Sequence, residues 1–250
     1  MFNLFRKIFY QPRRPFPITA PIAYQLTTTP LAQLMGIKPF SSIMYVTPAW
    51  RKKFSQLDIN ERVIENPFIF QHLPKSINKK ILDVGCCETI LPIQLASLGF
   101  NVTGIDMRPY ELTHPNFSFK KEDICQTQLK PNQFDVITCI STLEHIGLDT
   151  IYGKSDTKSS DKKALQKMLA LLKPKGRLLL TVPVAKKYVQ TDFMQIYTTQ
   201  KLHSLLKDFK ITQENYYIPS SSRSQWSPCL ADHLPLPPNF GVITMVAVKA

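Results

Sequence analysis

A chain of 250 residues, 44% of them apolar, is long enough to bury a sizeable core in one domain with extensions. No apolar run approaches the roughly 20 residues that span a bilayer, and Met1 to Tyr10 lacks the long apolar stretch and small-residue cleavage site of a signal peptide. The net charge of +13 is uneven: residues 1–80 carry 12 Lys/Arg against 3 Asp/Glu, and residues 81–250 carry 19 against 15.

The five cysteines (Cys86, Cys87, Cys125, Cys139 and Cys229) are odd in number, and none of their spacings suits a zinc site. Reduced thiols in a cytoplasmic protein are the expectation. The basic N-terminal part suits nucleic acid, anionic lipid or an acidic substrate; a solvated basic surface is the competing reading.

Residues 1–47 form a basic extension rich in proline and aromatics, and Pro12, Pro15, Pro17, Pro21, Pro30 and Pro39 interrupt any long helix. Phe2, Phe5 and Phe9 recur at helical spacing beside Arg6 and Lys7. Residues 1–16 are therefore a candidate peripheral membrane contact, with an arm packed on its own domain as the alternative. Residues 48–78 turn helical. Trp50, Phe54 and Leu57 recur at four and three, and Val63, Ile64, Phe68 and Phe70 suit a second helix interrupted by Pro67.

From residue 79 to 250 strands and helices alternate. Strands are predicted at 80–84, 101–105, 117–120, 134–140 and 177–182, with two late strands at 210–218 and 241–248. Helices are predicted at 90–98, stopped by Gly99, after Asp161, and after a cap at Thr198 or Thr199. Lys173-Pro-Lys-Gly176 reads as a turn. This is an α/β pattern: a mostly parallel seven-stranded sheet covered on both faces, a three-layer sandwich. The last two strands, with no helix between them, suit an antiparallel edge hairpin.

Ligands of such sheets sit beyond the carboxyl ends of the strands. There the chain reads Ile81-Leu-Asp83-Val-Gly85-Cys86-Cys87-Glu88-Thr89, and 21 positions after Gly85 comes Asp106, in Val102-Thr-Gly104-Ile-Asp106. A glycine turn lets the backbone approach a nucleoside, and a carboxylate accepts hydrogen bonds from ribose hydroxyls. A dinucleotide site would place glycines at 85, 87 and 90, but Cys87 and Ile90 stand at the last two.

Leu82-Asp-Val-Gly-Cys-Cys-Glu88 resembles the first motif of class I methyltransferases, a Rossmann-like family. That motif usually reads Asp-x-Gly-x-Gly-x-Gly, so Cys87 and Thr89 replace common glycines. The resemblance covers roughly residues 78–250. It implies S-adenosylmethionine as cofactor and a last strand inserted antiparallel into the sheet. It gives residues 48–78 a lid role over the ligand. Asp83 would hold the methionine ammonium, with the Gly85 and Cys86 backbone along the ligand. Asp106 would hold the ribose, Met107 would lie against the adenine, and Asp123 with Ile124 would meet its amino group and ring. Ser141 would line the reacting end.

The phrase Ser141-Thr-Leu-Glu-His-Ile-Gly-Leu148 resembles the segment after the fourth strand in many small-molecule methyltransferases. With Tyr152-Gly153 and Leu179-Leu-Thr-Val-Pro183, it is similar to a bacterial group tied to glycan or cell-surface biosynthesis. His145 is the candidate general base, because an imidazole with an ordinary pKa of about 6.5 is poised to take a hydroxyl proton. Glu144 is a candidate to orient His145, bind substrate or act as base itself. Arg108, Asp149 and Tyr152 are candidate substrate contacts, and Arg108 equally suits pairing with a carboxylate. No metal is expected: Ser141 stands where catechol-type enzymes carry acids, and Asp149, Asp156 and Asp161 are widely spaced. The expected activity is O-methylation of a small molecule, a sugar or glycan precursor. Two other classes stay open. One is an RNA methyltransferase using the basic arm, whose binding would weaken with salt. The other is an inactive scaffold with a degenerate loop.

Overall fold

The computed structural model describes residues 60–148, 160–220 and 225–249. The extension at 1–47, the first expected helix, Asp149 and Tyr152 lie outside the described residues. The chain divides into two units, Met1–Ile59 and Asn60–Ala250, and every described residue belongs to the second.

The second unit opens with helix α1 (Arg62–Gln71), which carries Pro67 inside it. Its buried face is Glu65, Phe68 and Ile69, while Val63 and Phe70 are exposed. The apolar face expected from Val63, Ile64, Phe68 and Phe70 is thus turned, and a carboxylate points inward. Strand β1 (Lys80–Val84) follows and then helix α2 (Leu91–Ser97), whose first turn holds Pro92, where a missing N–H costs nothing. Gly99 ends it at φ 92°. Strands β2 (Asn101–Asp106), β3 (Phe117–Lys121) and β4 (Phe134–Ile140) come next.

Helix α3 (Ser160–Leu171) leads directly into the long strand β5 (Leu172–Val184). The expected turn at 173–176 survives as an irregularity within β5: the register against β4 jumps from Phe134↔Leu172 to Val136↔Arg177, with Lys175 at φ 63°. A small hairpin, β6 (Val189–Gln190) and β7 (Gln195–Ile196), was not legible in the sequence. Helix α4 (Thr199–Leu205) is capped by Thr198, whose side chain accepts from the Lys201 N–H at 3.2 Å, as expected. Strands β8 (Lys210–Pro219), β9 (Trp226–Cys229) and β10 (Gly241–Val248) complete the chain.

The main sheet runs β3-β2-β1-β4-β5-β10-β8-β9. Its first five members pair in parallel. Strand β10 runs antiparallel between β5 and β8, as the resemblance implied. Two details differ from expectation. The sheet has eight strands, because β9 pairs with β8 at the edge. And β10 is internal, so the late pair is not an edge hairpin. Pro228 hid β9: proline reads against a strand, but at an edge its missing N–H faces solvent.

Alternation along the strands sorts the core into two layers. Leu82, Val84, Leu178, Leu180 and Val182 face α3 and α4, in a cluster with Leu165, Met168, Leu202 and Leu206. Ile81, Val136, Ile140, Leu179 and Val246 face α1 and α2, with Phe68, Ile69, Leu91 and Leu95. Each such fully buried side chain contributes about 1.5–3 kcal/mol relative to exposure. This is the three-layer α/β sandwich expected, and it fixes the carboxyl ends of β2, β1 and β4 side by side. No described helix is long and apolar enough to cross a membrane.

Candidate active site

Asp83 lies on β1 beside Thr138 of β4, in register. It is 2% exposed. Its Oδ1 accepts from the Thr138 hydroxyl at 2.6 Å, and its Oδ2 is buried without a hydrogen-bond partner. Burial pushes the Asp83 carboxyl up to about 7, against the opposing pull of the Thr138 hydrogen bond and the Arg62 charge; nearby Asp106 adds to the rise. An unsatisfied buried oxygen is costly in a chain at rest and suits a cationic donor.

Gly85 follows with φ 78°, and its N–H donates to the Ile105 carbonyl of β2 at 2.9 Å. A side chain there would collide with Thr142, so glycine is required by conformation and by space. A short 3-10 turn, Cys86–Glu88, then brings the Cys87 N–H onto Asp106 Oδ2 at 3.0 Å. Cys87 at a common glycine position therefore leaves the loop intact, with the backbone hydrogen-bonded to the expected ribose acid.

Asp106 ends β2 and is 8% exposed. Its Oδ1 also accepts from the Arg108 N–H at 2.9 Å and from Arg108 Nε at 3.3 Å, with Arg108 Nη2 at 3.5 Å from Oδ2. Arg108 thus lies on Asp106, pairing with a carboxylate, which is the second of the two roles the sequence left open for it. Met107 is exposed beside it. Asp123 Oδ1 accepts from the Cys125 N–H at 2.8 Å, while Oδ2 has a 3.5 Å contact with Gln126. Ile124 is buried next to it. The acids after β1, β2 and β3 line one end of the sheet in the expected order.

The segment after β4 differs more. Ser141 has φ 42° and its hydroxyl donates to Glu65 of α1 at 2.5 Å. The Thr181 hydroxyl donates to the same Glu65 oxygen at 2.5 Å, and the Arg62 guanidinium meets the other at 2.5 Å. The hydroxyl of Ser141, a residue expected at the reacting end, is tied to a carboxylate from α1. Glu144 is 3% exposed, with Oε2 buried and unpartnered. Burial pushes its carboxyl well above the ordinary range, Glu65 adds to this, and Arg62 opposes it. Burial of this kind favours the neutral form of Glu144, and its unpartnered Oε2 points to no fixed partner among the described residues. His145 is half-buried, with its ring edge against Phe193 and Nδ1 2.7 Å from the Phe193 carbonyl. A carbonyl only accepts, so Nδ1 carries the proton and Nε2 is the basic nitrogen of the neutral ring. The β6–β7 turn thus holds the His145 ring.

Sequence reasoning missed Arg62, Glu65, Thr138, Thr181 and Phe193. The available signal was polarity out of place: threonines inside the apolar runs of β4 and β5, and an Arg-x-x-Glu pair at the start of α1. Glu65, itself fully buried, accepts from two hydroxyls and a guanidinium. Glu65→Ala should therefore cost about 3–5 kcal/mol, the cost of breaking a buried pair from one side. Chemical denaturation checks this, and a loss under 1 kcal/mol would show the network to be incidental. A cleft of about 610 Å³ lined by Lys80, Lys130 and Lys173 lies at the amino ends of the strands, the end where open sheets do not hold their ligands.

Residues 57–216 match the family described as the methyltransferase domain. Among relatives, the ubiquinone biosynthesis O-methyltransferase of Colwellia psychrerythraea is 29% identical over 61% of this chain and 65% of its own length. The Histophilus somni protein of the same name is 34% identical over 46% of this chain and 51% of its own. The chain thus matches less than two thirds of the length of these relatives. Among solved structures, the Burkholderia thailandensis 1,6-didemethyltoxoflavin-N1-methyltransferase, bound to that compound and S-adenosylhomocysteine, superposes with a TM-score of 0.56. It covers 97% of this chain and 98% of its own at 16% identity, a likeness of fold.

Proposed function

Since this chain belongs to the methyltransferase-domain family, we propose that it transfers a methyl group from S-adenosylmethionine to an oxygen of a small-molecule acceptor. The observation that carries the reading is the row of acids at the ends of β1, β2 and β3, with the left-handed Gly85 turn beside them. The residues fit the cofactor. The unpartnered Asp83 Oδ2 suits the methionine ammonium, and Arg62, whose charge reaches Asp83, suits the carboxylate. Asp106 suits the ribose hydroxyls, and Asp123 with Ile124 suits the adenine. When bound, the cofactor supplies a methyl group on a cationic sulfonium, open to in-line attack. His145 Nε2 takes the acceptor's hydroxyl proton, and the Phe193 carbonyl holds the ring in the tautomer that allows it.

The names of the relatives favour a ring hydroxyl of a quinone precursor as acceptor. A sugar or glycan precursor, expected from the sequence, is the acceptor to screen beside it. Calorimetric titration with S-adenosylmethionine and S-adenosylhomocysteine, with NAD as control, tests the cofactor. Micromolar binding of the first two supports the reading, and a folded chain that binds neither points to an inactive scaffold. Quinone precursors, sugars and RNA then compete as acceptors in a methyl-transfer assay.

The pKa of Asp83 makes this binding pH-dependent. An ammonium favours the ionised carboxylate, so affinity should rise with pH by up to about tenfold per unit below 7 and level off above it. Asp83→Asn should flatten this profile. In the free chain the sign is opposite: a raised carboxyl pKa contributes stability that is fullest below about 4 and is lost as pH climbs to about 7. Affinity indifferent to pH in the parent chain would remove Asp83 from the ammonium site.

A further inference from the structure

The Gly85 loop carries two adjacent thiols that the transfer reaction does not use. Cys86 Sγ, Cys87 Sγ and a carboxylate oxygen of Asp106 all lie within 4.8 Å of one another. Cys86 is fully buried, and the bare α-carbon of Gly104 makes room for its sulfur: a side chain there would come within 2.8 Å of it. Cys87 is half-buried and its thiol donates to the carbonyls of Arg108 at 3.2 Å and Pro109 at 3.3 Å. Two thiols and one carboxylate thus converge on one spot, with two carbonyl oxygens against the Cys87 sulfur. The only cation described on that carboxylate is the Arg108 guanidinium, through the contacts given above.

We propose that Cys86, Cys87 and Asp106 form a site for a thiophilic divalent cation of the zinc class, and that its occupation excludes the nucleoside. Tetrahedral zinc with sulfur ligands at about 2.3 Å and a carboxylate oxygen at about 2.1 Å places the two sulfurs about 3.8 Å apart and each sulfur about 3.6 Å from the oxygen, so from within 4.8 Å the three groups need close by about 1.2 Å at most. Thiolates, not thiols, are the ligands: each cysteine gives its proton to water, two protons leave per ion, and the ion meets two thiolates and one carboxylate. Asp106 then no longer faces the ribose. The exclusion rests on the nucleoside reading above, but the metal site does not.

The test is titration of the reduced full chain with cadmium in chelator-free buffer, following thiolate-to-cadmium ultraviolet absorption and proton release. One equivalent of cadmium should raise the band with two protons released. Cys125→Ser should keep the band and Cys87→Ser should lose it, with a thermal melt showing that each variant is folded. S-adenosylhomocysteine at about ten times its dissociation constant should raise the cadmium midpoint about tenfold. A folded parent chain without the band, or a band that survives in Cys87→Ser, overturns the site. Cadmium and S-adenosylhomocysteine bound together without interference overturns the exclusion. If the metal-free chain takes no S-adenosylhomocysteine, the nucleoside reading fails on its own, and the cadmium band still decides for or against the metal site.

Discussion

Replacing His145 by alanine is expected to lower turnover about 10²–10⁴-fold, the usual contribution of a positioned general base, while S-adenosylhomocysteine affinity stays within a few-fold. The expectation follows from geometry. His145 sits in the segment that leaves β4, three residues after Thr142, whose side chain packs on Gly85. Its ring is fixed from outside the cofactor loop, by the Phe193 carbonyl and ring. Nothing in the Asp83, Asp106 or Asp123 arrangement depends on it. The loss should therefore appear in kcat, with the cofactor's binding constant spared. Steady-state rates with the acceptor returned by the screen, beside calorimetry of the variant, measure both. Turnover unchanged by the substitution would leave positioning of two bound reactants as the source of rate, a route that needs no base.

The parts of this site that were legible in the sequence are those fixed by local chemistry. Asp83, Gly85, Asp106 and Asp123 each stand at or just past the end of a predicted strand, and alternation of strands with helices already places such positions at one end of a sheet. Strands β1, β4 and β10 emerge at the residues expected, because their runs are bounded by charged or glycine-containing segments. What the sequence hid depends on contacts between distant segments. Glu65 and Ser141 are 76 positions apart, and Glu65 and Thr181 are 116 apart. The periodicity of α1 gives no sign that its carboxylate turns inward, because Val63 and Phe70 compete for the same face and lose it. The burial of Glu144 was hidden for a related reason. It stands in a 3-10 turn, Leu143–His145, that meets α3, β5 and β7, so its burial follows from packing that no local pattern reports. The hairpin of β6 and β7 is too short to carry a period, so the Phe193 carbonyl could not be assigned to His145.

Replacing Asp106 by alanine should weaken S-adenosylhomocysteine binding about 10²-fold. Two hydrogen bonds from ribose to a carboxylate would be worth about 1.5–3 kcal/mol each, and that sum alone would predict about 10²–10⁴. The lower end is expected because the carboxylate is not idle in the free chain. It holds Arg108 Nε and Nη2 at 3.3 and 3.5 Å, and the ribose must replace these long contacts. The backbone donors, Cys87 and Arg108 N–H at 3.0 and 2.9 Å, are shorter and shape the loop, so they should persist with ligand bound. This makes Arg108→Ala the informative partner. It removes the competitor and keeps the backbone donors, so affinity should hold steady or rise a few-fold. A tenfold fall in Arg108→Ala would instead place the guanidinium on the ligand, in the substrate-contact role. Calorimetry on the two variants and the parent separates the cases, provided thermal melts show Asp106→Ala still folded. Wild-type affinity in Asp106→Ala would remove the ribose acid from the site, and with it the strongest reason for reading the Gly85 loop as a nucleoside cradle.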